Sequence, residues 1–136
     1  MSSSEMRKLS PLLTVEAIEP CLPFWVDRLG FAKAVEVPDG SALGFVILAK
    51  DGVEIMYQSR ASVEKDIPAL ARGAASAEPA MGLFIEVGDI DAVEEALAGV
   101  DHVIPRRRTF YGMDEVVVRD PGGYVVVFAQ PTAAAT

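Results

Sequence analysis

Few residues in this 136-residue chain carry the chemistry of a catalyst. There is one histidine, His102, and one cysteine, Cys21, and they lie far apart in sequence. Cys21 falls at helical spacing with Trp25 and Leu29, so it reads as a small core residue rather than a nucleophile. The sharper candidates are Glu54 and Glu86, each set inside an apolar, strand-like run. A carboxylate in such a place can hold a cationic group, or act as a general base if burial raises its pKa. Near a strand end it would instead reach water. Phe110 and Tyr111 precede a strand, in the kind of loop where binding residues often sit, and offer aromatic walls to a flat ligand. Trp25 could add a wall, although its helical spacing assigns it to the core. In the basic run Arg106–Arg108, strand alternation sends Arg106 and Arg108 one way and Arg107 the other. That suits a solvated edge strand, with anion binding as the lesser alternative. Asp120-Pro121-Gly122-Gly123 is turn chemistry rather than a phosphate loop. Asp89 and Asp91 suit helix capping and the helix dipole.

The elements that must position these residues occur twice. Leu12–Val15 reads as a strand, Pro20–Leu29 as a helix, and Ser41–Leu48 and Val53–Gln58 as strands joined across Lys50-Asp51-Gly52. Leu83–Val87, Asp91–Ala98, Glu115–Arg119 and Tyr124–Gln130 repeat that order, the last two joined across Asp120–Gly123. A slide of about 71 or 72 positions lays Val15 on Val87, Gly52 on Gly123 and Tyr57 on Phe128, a repeat of whole units. Pro20 and Pro23 fit the first turn of the first helix, and Gly30 its stop. Asp91 can cap the second, with Glu94 completing a capping box and Val93, Leu97 and Val100 as its buried stripe. The stretch 59–80 is a linker rich in Ala, Pro, Ser and Gly, with one short helix expected around Val63–Leu70. Residues 2–4 and 132–136 read as frayed tails.

Phe24-Trp25, Leu29-Gly30-Phe31, Phe110-Tyr111-Gly112, Asp120-Pro121-Gly122-Gly123-Tyr124 and Gln130, placed on this repeat, resemble the vicinal oxygen chelate superfamily. The resemblance runs from about Leu12 to Gln130. It implies one α+β domain over 1–136, made of two tandem βαβββ modules at about 10–58 and 81–130. Their sheets would curve into a cup that holds a ligand or a metal, the glyoxalase/bleomycin-resistance fold. Enzymatic members of that superfamily place His or Gln on the first strand of each module and Glu on the last. The matching positions here are Ser10, Gly82, Met56 and Val127, none of them a strong hard-metal ligand. A register shift at the first strands offers only Pro11, Leu12, Ala80 or Met81, and His102 falls in the connection after the second helix. The expectation is no metal and no cofactor, which removes the Lewis acid on which glyoxalase, dioxygenase and fosfomycin-transferase chemistry depends.

Residues two apart on a strand share a face. If those four positions face inward, the cup is lined by Leu12, Thr14, Glu54, Met56, Gln58, Phe84, Glu86, Val125, Val127 and Ala129. Leu13, Val15, Val53, Ile55, Tyr57, Leu83, Ile85, Val87, Val126 and Phe128 then face the helices, and all are apolar or aromatic. With Phe110 and Tyr111 at the rim, the cup is an apolar vessel with two carboxylates.

Composition narrows the occupant. Twenty acids against twelve bases give a net charge of -8, which repels nucleic acid and favours a cationic guest. No apolar run approaches a membrane span, and a single cysteine forms no intrachain disulfide, so a soluble cytoplasmic protein is expected. The resemblance to bleomycin-resistance proteins implies a homodimer that sequesters a small molecule, and with the acidic charge the expected guest is a cationic aromatic compound or an antibiotic. Two alternatives stay open. One is a lyase, isomerase or dioxygenase-like enzyme with atypical metal ligation or a Glu54 or Glu86 base. The other is an interaction domain whose cup is filled by its own side chains.

Overall fold

The computed structural model describes residue 4, residues 6–74 and residues 81–132. Most of the expected tails, 1–3 and 133–136, and the end of the linker, 75–80, lie outside the described residues. The strands β1 (Leu12–Val15), β2 (Ala32–Asp39), β3 (Ala42–Lys50) and β4 (Val53–Ser59) form one sheet, ordered β1-β4-β3-β2. The strands β5 (Gly82–Glu86), β6 (His102–Arg108), β7 (Met113–Arg119) and β8 (Val125–Pro131) form a second, ordered β5-β8-β7-β6. In both, the first strand runs parallel to the last and the remaining pairs are antiparallel. This is the expected α+β arrangement of two tandem modules.

Both outer strands differ from the four-element reading. β2 is exposed along most of its length, so no alternation marks it, and two register shifts interrupt its pairing with β3. His102 opens β6 instead of lying in a connection.

The helical stretches also differ, for reasons set by proline and capping. Pro20–Leu29 is not one α-helix: Glu19–Cys21 is a 3₁₀ turn and Pro23–Arg28 a π-helical segment. Pro23 has no amide hydrogen to give the Glu19 carbonyl, which instead accepts from the Leu22 amide, so the 3₁₀ turn closes and a new segment starts at Pro23. Gly30, at φ +79°, ends the segment as expected. The linker holds two helices rather than one, α1 (Arg60–Asp66) and α2 (Pro68–Ala74). They break at Ile67, whose φ of -134° and ψ of 77° leave the helical region, as the residue before a proline tends to do. The helix α3 (Ile90–Ala96) is capped by Asp89, not Asp91; the Asp89 carboxylate accepts from the Ala92 amide at 3.1 Å. Asp91 and Glu94 are instead drawn to Arg106, at 2.8 and 2.6 Å.

One core is shared by both modules. Leu13, Val15, Ile55, Tyr57, Leu83, Val126 and Phe128 are buried in it, and Val53, Ile85 and Val87 pack against it, as strand alternation requires. Trp25 has no exposed surface and meets Phe24 and Phe31 edge-on, at 5.0 and 5.1 Å. It is therefore core and no wall for a ligand. Cys21 is buried beside it, and burial, with Asp120 nearby, pushes its thiol pKa up to about 12.

Polar bonds cross this core. The Trp25 indole donates to the Tyr57 hydroxyl at 2.8 Å, and that hydroxyl donates to the Asp120 carboxylate. Asp120 also accepts from the Tyr124 amide at 2.9 Å, and the Tyr124 hydroxyl donates to the Thr14 carbonyl at 2.9 Å. The turn read as bare turn chemistry is thus also the clasp between modules. Gly122 is needed there because a Cβ would stand 2.7 Å from the Val15 side chain.

Candidate ligand-binding face

Each sheet turns one face to the shared core, and its other face carries the candidate residues. Register on the first sheet sets Leu12, Met56 and Ile47 in one row across β1, β4 and β3. Thr14, Gln58 and Phe45 make the next row, and Glu54 with Ala49 lies on the other side. On the second sheet, Phe84, Val127 and Val117 form an apolar row across β5, β8 and β7. Glu86, Ala129 and Glu115 follow it. Paired residues share a face, so Leu12, Thr14, Glu54, Met56 and Gln58 lie on one face of the first sheet, and Phe84, Glu86, Val125, Val127 and Ala129 on one face of the second. A groove of about 270 Å³ between the sheets joins them through Pro11, Glu54, Met81 and Phe84. Phe84 is 54% exposed on this face.

The polar members have distinct fates. The segment before β1 grips Glu54: Lys8 Nζ stands 2.8 Å from one carboxylate oxygen and Ser10 Oγ donates to the other at 2.9 Å. Those two bonds hold its pKa below the ordinary carboxylate value, against the raised pKa that a base would need. Glu86 is exposed at the end of β5 and reaches water. Gln58 is buried under α1, its amide donating to Ser62 Oγ at 3.0 Å and to Asp66 at 3.2 Å. Phe110 is fully exposed and Tyr111 half-exposed in the loop between β6 and β7, their rings edge-on at 5.1 Å.

One acid escaped the sequence reading. Glu115 has no exposed surface, yet it shares the open-face row with Glu86. Arg107 Nε donates to it at 3.1 Å and the Tyr111 hydroxyl at 2.7 Å, and the bond to Glu115 is the main reason the Tyr111 pKa is raised. Its place two residues before Val117 on an apolar strand was the available signal. The pairing with Arg107 required the β6–β7 register. The Arg106–Arg108 run lies on the edge strand β6 with Arg107 and Arg108 exposed, as expected; Arg106 is half-buried and binds Asp91, Glu94 and Asp114, which raises its own pKa and lowers that of Asp114.

The four positions that the resemblance marks for a metal carry poor donors. Met56 pairs with Leu12 and Val127 with Phe84, so two of the four positions sit in apolar rows. Gly82 offers no side chain, and the Ser10 hydroxyl is spent on Glu54. These residues do not fit such a metal. Among the described residues, no group of three or more His, Cys, Asp or Glu is placed to hold one.

The strand order, the duplicated module and the open faces together define the glyoxalase/bleomycin-resistance fold. The sequence matches no protein-family model and no curated protein. Solved structures share the fold. An antibiotic-binding protein from Streptomyces sp. CB03234 is 21% identical, with 96% of this chain and 100% of that chain covered at a TM-score of 0.69. The bleomycin-binding protein of Streptomyces verticillus, solved with copper(II)-bleomycin, is 24% identical over 93% and 97% of the two chains, with a TM-score of 0.62. A lactoylglutathione lyase from Agrobacterium tumefaciens is 15% identical over 95% of each chain, with a TM-score of 0.69. Binders and an enzyme therefore share this architecture, and the fold alone does not separate them.

Proposed function

We propose that this chain is a metal-independent binding protein that sequesters a small, cationic, aromatic molecule. The observation that carries the reading is the open-face pattern. Apolar rows led by Met56 on one sheet and Phe84 and Val127 on the other are bordered by Glu54 and Glu86. An apolar floor supplies most of the affinity for a flat guest, and a few placed charges supply its orientation. Leu12 and Thr14 extend the floor, Gln58 closes one end under α1, and Phe110 and Tyr111 stand as rim aromatics. Each chain offers two such faces, so a homodimer completes the cup by laying one copy's face over the other's. The two antibiotic binders with this fold support the reading; the lyase supports an enzyme. Glu54 weighs against a carboxylate base, because Lys8 and Ser10 hold it ionised. A lone buried thiol suits a reducing, cytoplasmic setting.

A thermal-shift screen at low salt tests this, setting aromatic cations beside divalent metals and thiol conjugates. A guest at about 100 times its Kd stabilises the fold by about 2.7 kcal/mol. A rise with an aromatic cation that Phe84→Ala abolishes supports sequestration. A rise with a divalent metal instead returns the chain to the metalloenzymes.

A further inference from the structure

The internal repeat creates two equivalent junctions, each where the hairpin turn of one module meets the strand and helix start of the other. One is packed shut. There Gly122 lies against Val15 and Cys21 so closely that a Cβ would not fit, and Tyr124 bonds to Thr14. The other is open. The turn Lys50–Gly52 stands off from Val87–Asp89: Asp51, which a slide of 71 positions lays on Gly122, carries a full side chain there, and a Cβ on Gly88 would meet nothing within 4 Å. A cleft of about 550 Å³ fills the gap, within the ~300–1,000 Å³ of small-molecule sites. Since the same backbone plan closes one junction, the opening of its twin is a property of these side chains and not of the fold.

The cleft adjoins the open face of the second sheet at Glu86 and shares Val53 and Ile85 with the groove between the sheets. Its floor is made by core-facing residues, among them Phe31, Val53, Ile85 and Phe128. Its rim carries three carboxylates, Asp51, Glu86 and Asp89. The lysine on that rim, Lys50, turns its ammonium to the Leu29 carbonyl at 2.7 Å, which leaves the carboxylates unneutralised by it. We propose that this junction is a second binding site, for a small amphiphile with an apolar body and a cationic head. Apolar burial against the floor and charge complementarity at the rim select that occupant over a neutral or anionic one.

The test is a titration with 4-phenylbutylammonium, followed through the backbone amides of Gly52, Gly88 and Asp89 by ¹⁵N-correlated NMR. Saturable shifts confined to those amides are expected, with 4-phenylbutanol at least threefold weaker and 4-phenylbutyrate inert. Asp51→Asn tolerates the left-handed backbone at that position, φ 53°. It should weaken the ammonium at least threefold and leave the alcohol unchanged. Ala92→Trp, on the exposed rim, should block both ligands, while Phe84→Ala on the open face should alter neither. Equal affinity for ammonium and alcohol, indifference to both cleft variants, or shifts centred on Phe84 and Met56 would each overturn the proposal.

Discussion

Tyr57 shows how a single hydroxyl can join two modules. It accepts from Trp25 and donates to Asp120, and all three residues are buried. Tyr57→Phe removes that bridge and leaves the indole only its longer, 3.4 Å bond to Asp120, which costs about 1 kcal/mol. Urea unfolding should show that loss as a lower midpoint with an unchanged slope. The buried Cys21 thiol, its pKa near 12, stays protonated at neutral pH and should react with a disulfide reagent only at the rate of unfolding. Glu54 carries a pH signature. Its pKa is depressed by Lys8 and Ser10, so its stabilising contribution is present above the ordinary carboxylate value of 4.5. It is lost as the pH falls through the depressed value. Glu54→Gln should therefore flatten part of the decline in stability on the acid side of pH 4.5, and leave the neutral region's slope unchanged.

At the level of elements, short helices depend on their ends. α3 has seven residues, and its cap is the Asp89 carboxylate on the Ala92 amide. Asp89→Ala should cost about 1 kcal/mol and speed amide exchange in α3 before the sheets are affected. The equivalent change at Asp91, which does not cap, should cost less. Arg106 adds a clamp from β6 onto α3 through Asp91 and Glu94, and onto β7 through Asp114. One arginine thus holds the helix to an edge strand that has few apolar contacts of its own. The β2 edge is tied to α1 only at its end, where Lys65 Nζ stands 2.7 Å from Asp39, and Val35 and Val37 remain 41% and 45% exposed. Strand edges of that kind are where a second chain finds purchase.

For the whole molecule, the two modules behave as one folding unit, since Trp25, Tyr57 and Phe128 share a core. The outward faces are what a second copy would cover. Light scattering should return twice the 14.5 kDa chain mass, and Phe84→Lys should shift the population toward monomer without lowering helix content. The acidic excess of 20 carboxylates over 12 bases should also make binding of any cationic guest fall with added salt.

Local pattern was enough to determine which face of β1, β4, β5 and β8 is core. Val15, Ile55, Tyr57 and Phe128 alternate with their neighbours in a two-residue period that depends only on backbone geometry. The repeat and the two hairpin turns were legible in the same way. The edge strand β2 was not, because an exposed strand carries no alternation. The partners of charged groups were not either. Lys8 with Glu54 spans 46 positions and Tyr57 with Asp120 spans 63. Only the tertiary structure decided that Glu54 is held ionised, that Glu115 is buried beneath Arg107 and Tyr111, and that one junction closes while its twin stays open. Each depends on side chains brought together from distant strands, and no local period encodes that meeting.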